Sequence, residues 1–190
     1  GAAGIVVSKV GTYPIHRSEL LDLWHSYKHS VQSKPLYTKE EMKQLIAQWQ
    51  NKGETVVFTN GCFDILHRGH ITYLQEAAQL GDHLIIGLNS DASVRRLKGE
   101  TRPIVREEDR AALLSALRCI DGVVLFEEDT PAEILAYLRP NTLVKGGDYK
   151  IEDIIGRESV DHVEVLSFKE GYSTSDIVGK IATMAKEGKL

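Results

Sequence analysis

Residues 55–70, TVVFTNGCFDILHRGH, predict a buried strand, a turn that contains glycine, and the start of a helix. The β-branched run Thr55–Asn60 is typical of a strand in a parallel sheet, which is covered on both faces. The turn contains neither G-x-G-x-x-G nor G-x-x-x-x-G-K-[ST], so the common dinucleotide-binding and P-loop sites are excluded here. The motif H-x-G-H, from His67 to His70, stands in their place.

The H-x-G-H motif brings two imidazoles to the predicted N-terminus of a helix, where unpaired N–H groups and the helix dipole attract phosphate. Gly69 allows a ligand to approach the backbone closely. His67 and His70 can therefore stabilise an oxyanion that gains charge during a reaction. Two alternatives stay open: histidines that only cap the helix or face solvent, and a metal site that uses Cys62 with both histidines.

Outward from this motif, short apolar runs alternate with helical patterns. The predicted strands are Thr55–Asn60, His83–Asn89, Gly122–Phe126, Thr142–Lys145 and Val163–Leu166. The predicted helices are Thr38–Lys52, Arg68–Leu80, Ala92–Leu97, Arg106–Arg118, Thr130–Arg139 (capped by Thr130) and Thr174–Lys186. This alternation predicts an α/β fold, a Rossmann-like doubly wound parallel sheet of about five strands. Ligands of such sheets bind at the carboxyl ends of the strands.

Other predicted strand ends also carry groups that suit a phosphate ligand. Lys98 follows the second strand and is either a cation for phosphates or a solvated loop lysine. The segment Lys145–Asp148, KGGD, follows the fourth strand; its glycines allow a turn close to a ligand, and Asp148 can reach a base or a ribose, although a plain turn explains it too. Ser173 and Asp176 have the spacing of a capping box, which explains Ser173 without a function.

Composition excludes several classes of protein. The 190 residues are 42% hydrophobic, which is enough for one core. The net charge is −4, and residues 55–190 carry −6 of it against +2 for residues 1–54, so a broad nucleic-acid surface is not expected. No apolar run approaches the roughly 20 residues of a membrane span, and no signal peptide is evident. With two cysteines, the chain is predicted to be reduced and cytoplasmic, without a nucleic-acid or membrane partner.

Several segments together resemble the cytidylyltransferase-like nucleotidyltransferases, and among them the adenylyltransferase domains of ADP-heptose synthases. They are NGCFDILHRGH at 60–70, NSDASVRRLKGETRPI at 89–104, FEEDTP at 126–131 and VKGGDYK at 144–150. The likeness implies a nucleotidyltransferase domain at 38–190. AAGIVVSKVGT at 2–12 is similar to the end of a ribokinase-type sugar kinase domain, so residues 1–37 are predicted to be the tail of a preceding kinase-like domain and a linker.

The resemblance implies transfer of an adenylyl group from ATP to D-glycero-D-manno-heptose 1-phosphate, for the inner core of lipopolysaccharide. It implies catalytic roles for His67, His70, Lys98, Ser173 and Thr174. The substrate-binding residues that it implies are Thr59, Asn60, Gly61, Cys62, Phe63, Asp64, Gly69, Asn89, Asp91, Arg102, Arg110, Lys145, Gly146, Gly147, Asp148 and Tyr172. Because a phosphate monoester is already anionic, no general base is needed, and catalysis rests on positioning and charge stabilisation.

Some of these assignments have competing interpretations. Asp64 either helps to hold Mg²⁺ through water or caps the turn, and Mg²⁺ itself is expected to bind mainly phosphate oxygens, with no protein metal ligand assigned. Arg102 and Arg110 are candidates for the acceptor phosphate. Arg110 is alternatively a surface residue paired with Glu107 or Asp109. Cys62 is expected to be a small buried residue rather than a nucleophile.

Two rival functions stay open. One is a cytidylyltransferase acting on glycerol 3-phosphate or another phospho-alcohol, and the other is a nucleotide- or metal-binding module without turnover. The expected partners are the small-molecule substrates. A homodimer is compatible with the family, in which dimers are common, and the tail at 1–37 implies fusion to a sugar kinase domain.

Overall fold

The structure is a computed structural model that describes residues 36–167 and 173–189. The predicted kinase-like tail, most of the predicted linker, and Tyr172 lie outside these residues. The proposed division into residues 1–37 and 38–190 therefore stays a prediction.

In the described residues, six parallel strands form one sheet in the order β1-β4-β3-β2-β5-β6. They are β1 Leu36–Tyr37, β2 Val56–Gly61, β3 His83–Asn89, β4 Gly122–Phe126, β5 Thr142–Gly146 and β6 His162–Leu166. The predicted doubly wound α/β architecture is confirmed. Five strands match the predicted runs, and β1 adds an edge strand within the predicted linker, with Leu36 paired to Val123 and Tyr37 to Val124.

The helices lie where the sequence pattern predicts them. They are α1 Lys39–Asn51, α2 Arg68–Ala77, α3 Asp91–Lys98, α4 Glu107–Ser115, α5 Ala132–Leu138 and α6 Thr174–Lys186. Short 3-10 turns occupy Ala78–Leu80, Ile151–Asp153 and Arg157–Ser159. None of the helices in the described ranges is long and apolar enough to cross a bilayer.

Local capping explains where two of the helices begin. The Thr38 side chain accepts from the Glu41 N–H, and the Glu41 carboxylate accepts from the Thr38 N–H, so the predicted capping box of α1 is confirmed. Ser173 caps α6 by accepting from the Asp176 N–H. The predicted cap at Thr130 is wrong: α5 begins one residue later, after Pro131, and has no side-chain cap.

Two apolar clusters cover the two faces of the sheet. Leu74 of α2 and Leu114 of α4 pack in one cluster, and Met42 of α1 and Leu135 of α5 pack in the other. β3 and β4 are added in turn along one edge of β2, whereas β5 and β6 are added along its other edge. The direction in which the chain adds strands therefore reverses between β2 and β5. A sheet of this kind has its ligand crevice at that point, outside the carboxyl ends of the strands.

Candidate active site

A cleft of about 510 Å³ opens at the carboxyl ends of β2 and β5. Its walls come from the turn after β2, the first turns of α2, the end of α3 with the loop behind it, the end of β5, and the start of α6. It is lined by Asn60, Gly61, Cys62, Phe63, Asp64, His70, Tyr73, Leu97, Lys98, Arg102, Lys145, Gly146, Tyr149, Thr174 and Ser175. The topology thus brings together residues that lie more than 100 positions apart in the chain.

The turn after β2 has an unusual backbone. Phe63 and Ile65 have φ values of 47° and 56°, in the left-handed region that β-branched and bulky residues seldom adopt. The Phe63 side chain is buried, and its ring meets the His70 ring edge-on at 5.4 Å between centroids. Such strain persists only where surrounding contacts impose it. Asp64, which lies between Phe63 and Ile65, makes those contacts.

Asp64 ties three segments of the site together. Its buried carboxylate accepts from Arg102 Nε at 2.6 Å and from the N–H groups of Ile104 and Val105, each at 2.9 Å. Its backbone carbonyl accepts from the Thr174 hydroxyl at the start of α6, at 2.8 Å. Burial alone would raise the pKa of the Asp64 carboxyl, but the two N–H groups and the guanidinium together hold that pKa below its usual range.

Because the Asp64 carboxylate already accepts three hydrogen bonds, it is poorly suited to the predicted Mg²⁺ role. It does not cap its own turn either, because it binds the loop at residues 102–105 instead. Asp64 is the one carboxylate among the described residues that line the cleft. Within the same residues, no group of three or more His, Cys, Asp or Glu side chains could hold a metal ion, so Cys62, His67 and His70 do not form the alternative metal site. The described residues therefore do not provide a metal site of three or more such ligands.

The two histidines of the motif are stacked at the N-terminus of α2. Their ring centroids are 3.8 Å apart, with 19° between the planes. His67 caps the helix, because its Nδ1 accepts from the His70 N–H at 3.4 Å. This bond leaves the proton of a neutral His67 ring on Nε2, where it can be donated to a ligand.

Both rings are neutral near pH 7. Burial, and then the neighbouring His67, lower the pKa of His70 to about 4, and burial lowers the pKa of His67. His70 lines the cleft, and its buried Nδ1 has no hydrogen-bond partner among the residues that the structure describes. The motif therefore presents uncharged N–H donors beside the positive end of a helix dipole, which suits an anionic ligand.

Three cations also line the cleft. Lys98 is the exposed last residue of α3 rather than part of the predicted loop, and Arg102 is the partner of Asp64. Lys145, at the end of β5, donates from Nζ to Asn60 Oδ1 at 2.6 Å. Burial lowers the pKa of Lys145 to about 8. A cleft with these cations and a neutralised carboxylate favours a polyanion.

Arg110 does not reach the cleft. Its side chain is fully buried, and Nη1 donates to the carbonyls of Cys62 at 2.6 Å and Asn89 at 2.9 Å. Nη2 donates to Asp91 Oδ1 at 2.6 Å, and Nε donates to the Val105 carbonyl. Both sequence-based interpretations of Arg110 are wrong, because an arginine so enclosed neither contacts an acceptor phosphate nor forms a surface pair. It joins the ends of β2 and β3 to the α3–α4 loop.

The other predicted site residues in the described part of the chain do not line the cleft: Thr59, His67, Gly69, Asn89, Asp91, Gly147, Asp148 and Ser173. The Asn89 amide donates to Ser93 Oγ, and Thr59 shares a 2.6 Å hydrogen bond with the Tyr73 hydroxyl. Asp148 is exposed. Cys62 is half-buried and lines the cleft, rather than being buried as expected. Burial raises the pKa of its thiol, which disfavours the thiolate form.

Sequence reasoning missed four of the lining residues: Tyr73, Leu97, Tyr149 and Ser175. Two of them carried a signal. Tyr73 lies three positions after His70 on α2, and side chains three apart share a helix face. Tyr149 directly follows the glycine turn after β5, and its side chain is 58% exposed. Nothing in the sequence distinguished Leu97 and Ser175 from the residues beside them as candidates for the site.

Comparison with known proteins agrees with this geometry. The Cytidylyltransferase-like family matches residues 58–180. The chain is 47% identical over 180 residues to the Bifunctional protein HldE of Wolinella succinogenes, covering 95% of this chain and 38% of that protein. It is also 47% identical over 184 residues to the Bifunctional protein HldE of Geobacter sulfurreducens, covering 95% of this chain and 37% of that protein.

A solved structure agrees as well. The lipopolysaccharide core biosynthesis protein from Thermoplasma volcanium GSS1 is 32% identical, with a TM-score of 0.52 over 64% of this chain and the whole of that one. The chain spans somewhat more than a third of the length of the curated relatives. The family match, the parallel sheet and the H-x-G-H cleft at its switch point all agree, and the chain belongs to the cytidylyltransferase-like family of nucleotidyltransferases.

Proposed function

We propose that the chain transfers an adenylyl group from ATP to D-glycero-D-manno-heptose 1-phosphate, releasing pyrophosphate and forming ADP-heptose for the inner core of lipopolysaccharide. The observation that carries the proposal is the cleft at the β2–β5 switch point, where His70, from the helix that H-x-G-H begins, lines the same cavity as Lys98 and Lys145. The extended sequence likeness to ADP-heptose synthase domains supports the heptose substrate. A relative of solved structure named for lipopolysaccharide core biosynthesis supports the same pathway.

The reaction is an in-line displacement. An oxygen of the sugar phosphate attacks the α-phosphorus of ATP, the bond to the oxygen that bridges the α- and β-phosphorus breaks, and pyrophosphate leaves with that electron pair. The attacking group is already an anion, so no side chain has to remove a proton. The chain's task is to align the two phosphates and to stabilise the charge that spreads over the α-phosphate oxygens.

The stacked histidines are assigned to this charge. His70, which lines the cleft, and Nε2 of His67 donate hydrogen bonds to phosphate oxygens beside the first turn of α2. Loss of one such donor typically slows a reaction by about 10²–10³. The start of α6, where Thr174 and Ser175 line the cleft, adds the N–H groups of a helix N-terminus.

The cations are assigned to the rest of the phosphate chain. Lys98 at the end of α3, Arg102 in the loop that follows it, and Lys145 at the end of β5 all line the cleft. Mg²⁺ is assigned to the phosphate oxygens of ATP, since it keeps most of its waters and needs few protein ligands. Two free cysteines, Cys62 and Cys119, suit a reducing compartment and support a cytoplasmic location.

The full-length protein is proposed to carry a second activity. Its curated relatives are named bifunctional and are more than twice as long as this chain. Residues 2–12, which resemble the end of a sugar kinase domain, support a fused kinase ahead of residue 38.

The full-length protein is also proposed to form a homodimer, and light scattering of that protein tests this proposal.

Pyrophosphate release tests the proposed activity. Purified chain with Mg²⁺, ATP and heptose 1-phosphate is expected to release pyrophosphate, and His70→Ala is expected to lose about 10²–10³ of the rate while its melting temperature stays close to wild type. His162→Ala, at the start of edge strand β6, is the matched control. Release with CTP and glycerol 3-phosphate instead would select the cytidylyltransferase alternative. Nucleotide binding without any turnover would identify a binding module.

A further inference from the structure

Helix α6, Thr174–Lys186, is amphipathic, yet its apolar side stays outside the hydrophobic core. Ile177, Ile181 and Met184 are four and three positions apart, so they share one side of the helix, here called the α6 stripe. None of the 13 helix residues is buried, and within the described residues none forms or packs against either apolar cluster. A surface helix normally buries its apolar side, so the α6 stripe is a candidate interface.

The two halves of α6 differ in how they are held. The first turn is fixed at the cleft, because the Thr174 hydroxyl donates to the Asp64 carbonyl at 2.8 Å. The second half is open: Ile181 is 49% exposed, and from residue 179 to 189 Met184 alone is partly covered. The second half can therefore contact another molecule while the first turn stays at the cleft.

Charges beside the stripe indicate what that molecule is. Lys180 and Glu187 are two helical turns apart and flank the stripe on the same side. When two copies of such a helix pack antiparallel, equivalent flanks face each other, so Lys180 of each copy meets Glu187 of the other. A parallel pair would instead set these charges against Val178 and Ala185, which are uncharged. Charge complementarity thus favours a second copy of this chain in antiparallel orientation.

The apolar side chains fit the same register. Pairing Lys180 with Glu187 puts the two-fold axis between residues 183 and 184. Ile181, the most exposed apolar side chain of the helix, then comes next to Met184 and Ala185 of the other copy. The charges and the apolar positions are independent features of the sequence, and both select one arrangement.

Contacts within one copy leave these charges available. Lys180 takes part in none of the ion pairs formed among residues 36–167 and 173–189. Glu187 pairs with Lys189 at 2.7 Å, but both side chains are well exposed, and such a pair contributes little. Residues 180–187 span only about 12 Å of helix, so the contact buries less than the roughly 1,200 Å² of stable complexes. The association is therefore expected to be weak and reversible.

We propose that the second half of α6 is a self-association surface, on which two copies of the chain pack antiparallel through the α6 stripe, with Lys180 of each copy paired to Glu187 of the other. This inference goes beyond adenylyl transfer and specifies an interface for the proposed homodimer. The first turns of the two helices lie at the outer ends of the pair, so association leaves both clefts open.

Sedimentation equilibrium of the 190-residue chain, between about 1 and 500 µM, tests the surface. Wild type is expected to show a reversible monomer–dimer equilibrium. Ile181→Glu should raise the dimer Kd about tenfold or more, because it places a charge in the apolar contact. Thr183→Glu is the matched control: it adds the same charge at an exposed position on the other side of the helix and should retain the wild-type Kd. Thermal melts confirm that both variants fold.

A charge exchange tests the orientation. Lys180→Glu and Glu187→Lys, each alone, create like charges across the interface and should raise the dimer Kd about fivefold. The double variant Lys180→Glu with Glu187→Lys restores opposite charges and should recover most of the wild-type affinity. A double variant that dimerises no better than the two single variants would contradict the antiparallel pairing.

The remaining outcomes overturn the surface without touching the proposed activity, which pyrophosphate release measures separately. A dimer whose Kd is unchanged in Ile181→Glu uses another face. A wild-type chain that stays monomeric throughout contradicts self-association. If Ile181→Glu then lowers the melting temperature of that monomer, another segment of the same chain covers the stripe. If the monomer instead binds anionic lipid vesicles through Ile181, the stripe is a membrane contact.

Discussion

Lys145 Nζ lies 2.6 Å from Asn60 Oδ1, and this bond joins the carboxyl ends of β2 and β5. The two strands pair through their backbones only at Val57 with Thr142 and at Phe58 with Leu143. Asn60 would face Lys145 if this register continued, but a hydrogen bond between their side chains takes the place of backbone hydrogen bonds there. The strands are thus held at a point where they are no longer paired, and the space between their ends becomes the cleft.

The lowered pKa of Lys145 predicts a pH dependence of nucleotide affinity. With a pKa of about 8, the ammonium loses its proton as the pH rises through 8, and its attraction for phosphate is lost with it. The Kd for ATP is therefore expected to rise by up to about tenfold per pH unit above pH 8. Lys145→Arg, which stays charged, should show little of this rise. Calorimetry from pH 7 to 10 measures it, and parallel curves for the two proteins would contradict the assignment.

The Tyr73 hydroxyl occupies the gap between the same two strands. It shares a 2.6 Å hydrogen bond with Thr59 Oγ1 and donates to the Val144 carbonyl at 3.1 Å. Tyr73→Phe leaves these buried groups without that partner, so we expect a loss of about 1–3 kcal/mol in the free energy of unfolding. Tyr137→Phe, at a partly exposed position on α5, is expected to change it by less than about 0.5 kcal/mol. Urea denaturation compares them, and equal losses would argue against the role of Tyr73.

Asp64 is expected to make the fold sensitive to acid. Its pKa is lower in the folded than in the unfolded chain, so the unfolded state takes up its proton first as the pH falls. Its contribution is complete above pH ~4, the range of a free aspartate, and is lost as the pH falls through the lower folded value. Asp64→Asn should cost about 1–3 kcal/mol at pH 7 and flatten the stability profile below pH ~4.

Denaturant titrations at several pH values test the acid response. Asp148→Asn, which changes an exposed carboxylate in the loop after β5, is the matched control and should retain the wild-type profile. If Asp64→Asn were as acid-sensitive as wild type, another carboxylate would be responsible.

Arg110 is expected to act on stability rather than on substrate binding. Arg110→Met strands the Asp91 carboxylate and three backbone carbonyls, so we expect a loss of about 3–5 kcal/mol in the free energy of unfolding. Arg118→Met, at an exposed position, should cost less than about 0.5 kcal/mol. At a temperature where the variant stays folded, its KM for sugar phosphate should match wild type. A raised KM with unchanged stability would restore Arg110 to the acceptor site.

Much of the fold and part of the site follow from local sequence. The strands His83–Asn89 and Gly122–Phe126 have the predicted bounds, because a short apolar run between turns determines a buried strand without help from distant residues. The capping box at Thr38 and the position of His70 in the first turn of α2 are equally local. Strand β1 escaped prediction since two residues carry no periodicity.

What only the tertiary structure decided is how distant polar groups pair. By itself, the sequence determined which elements form and that H-x-G-H begins a helix after the first strand of the α/β run. It left Asp64 and Arg110 as candidate ligands for Mg²⁺ and phosphate, whereas folding pairs them with Arg102 and Asp91, 38 and 19 positions away. The position of a single charged side chain in the sequence follows no repeating pattern that would indicate its partner. The order of the strands in the sheet decides which strand ends, and therefore which charged groups, come together. Burial then requires that partner, because an unpaired charge in the interior is costly.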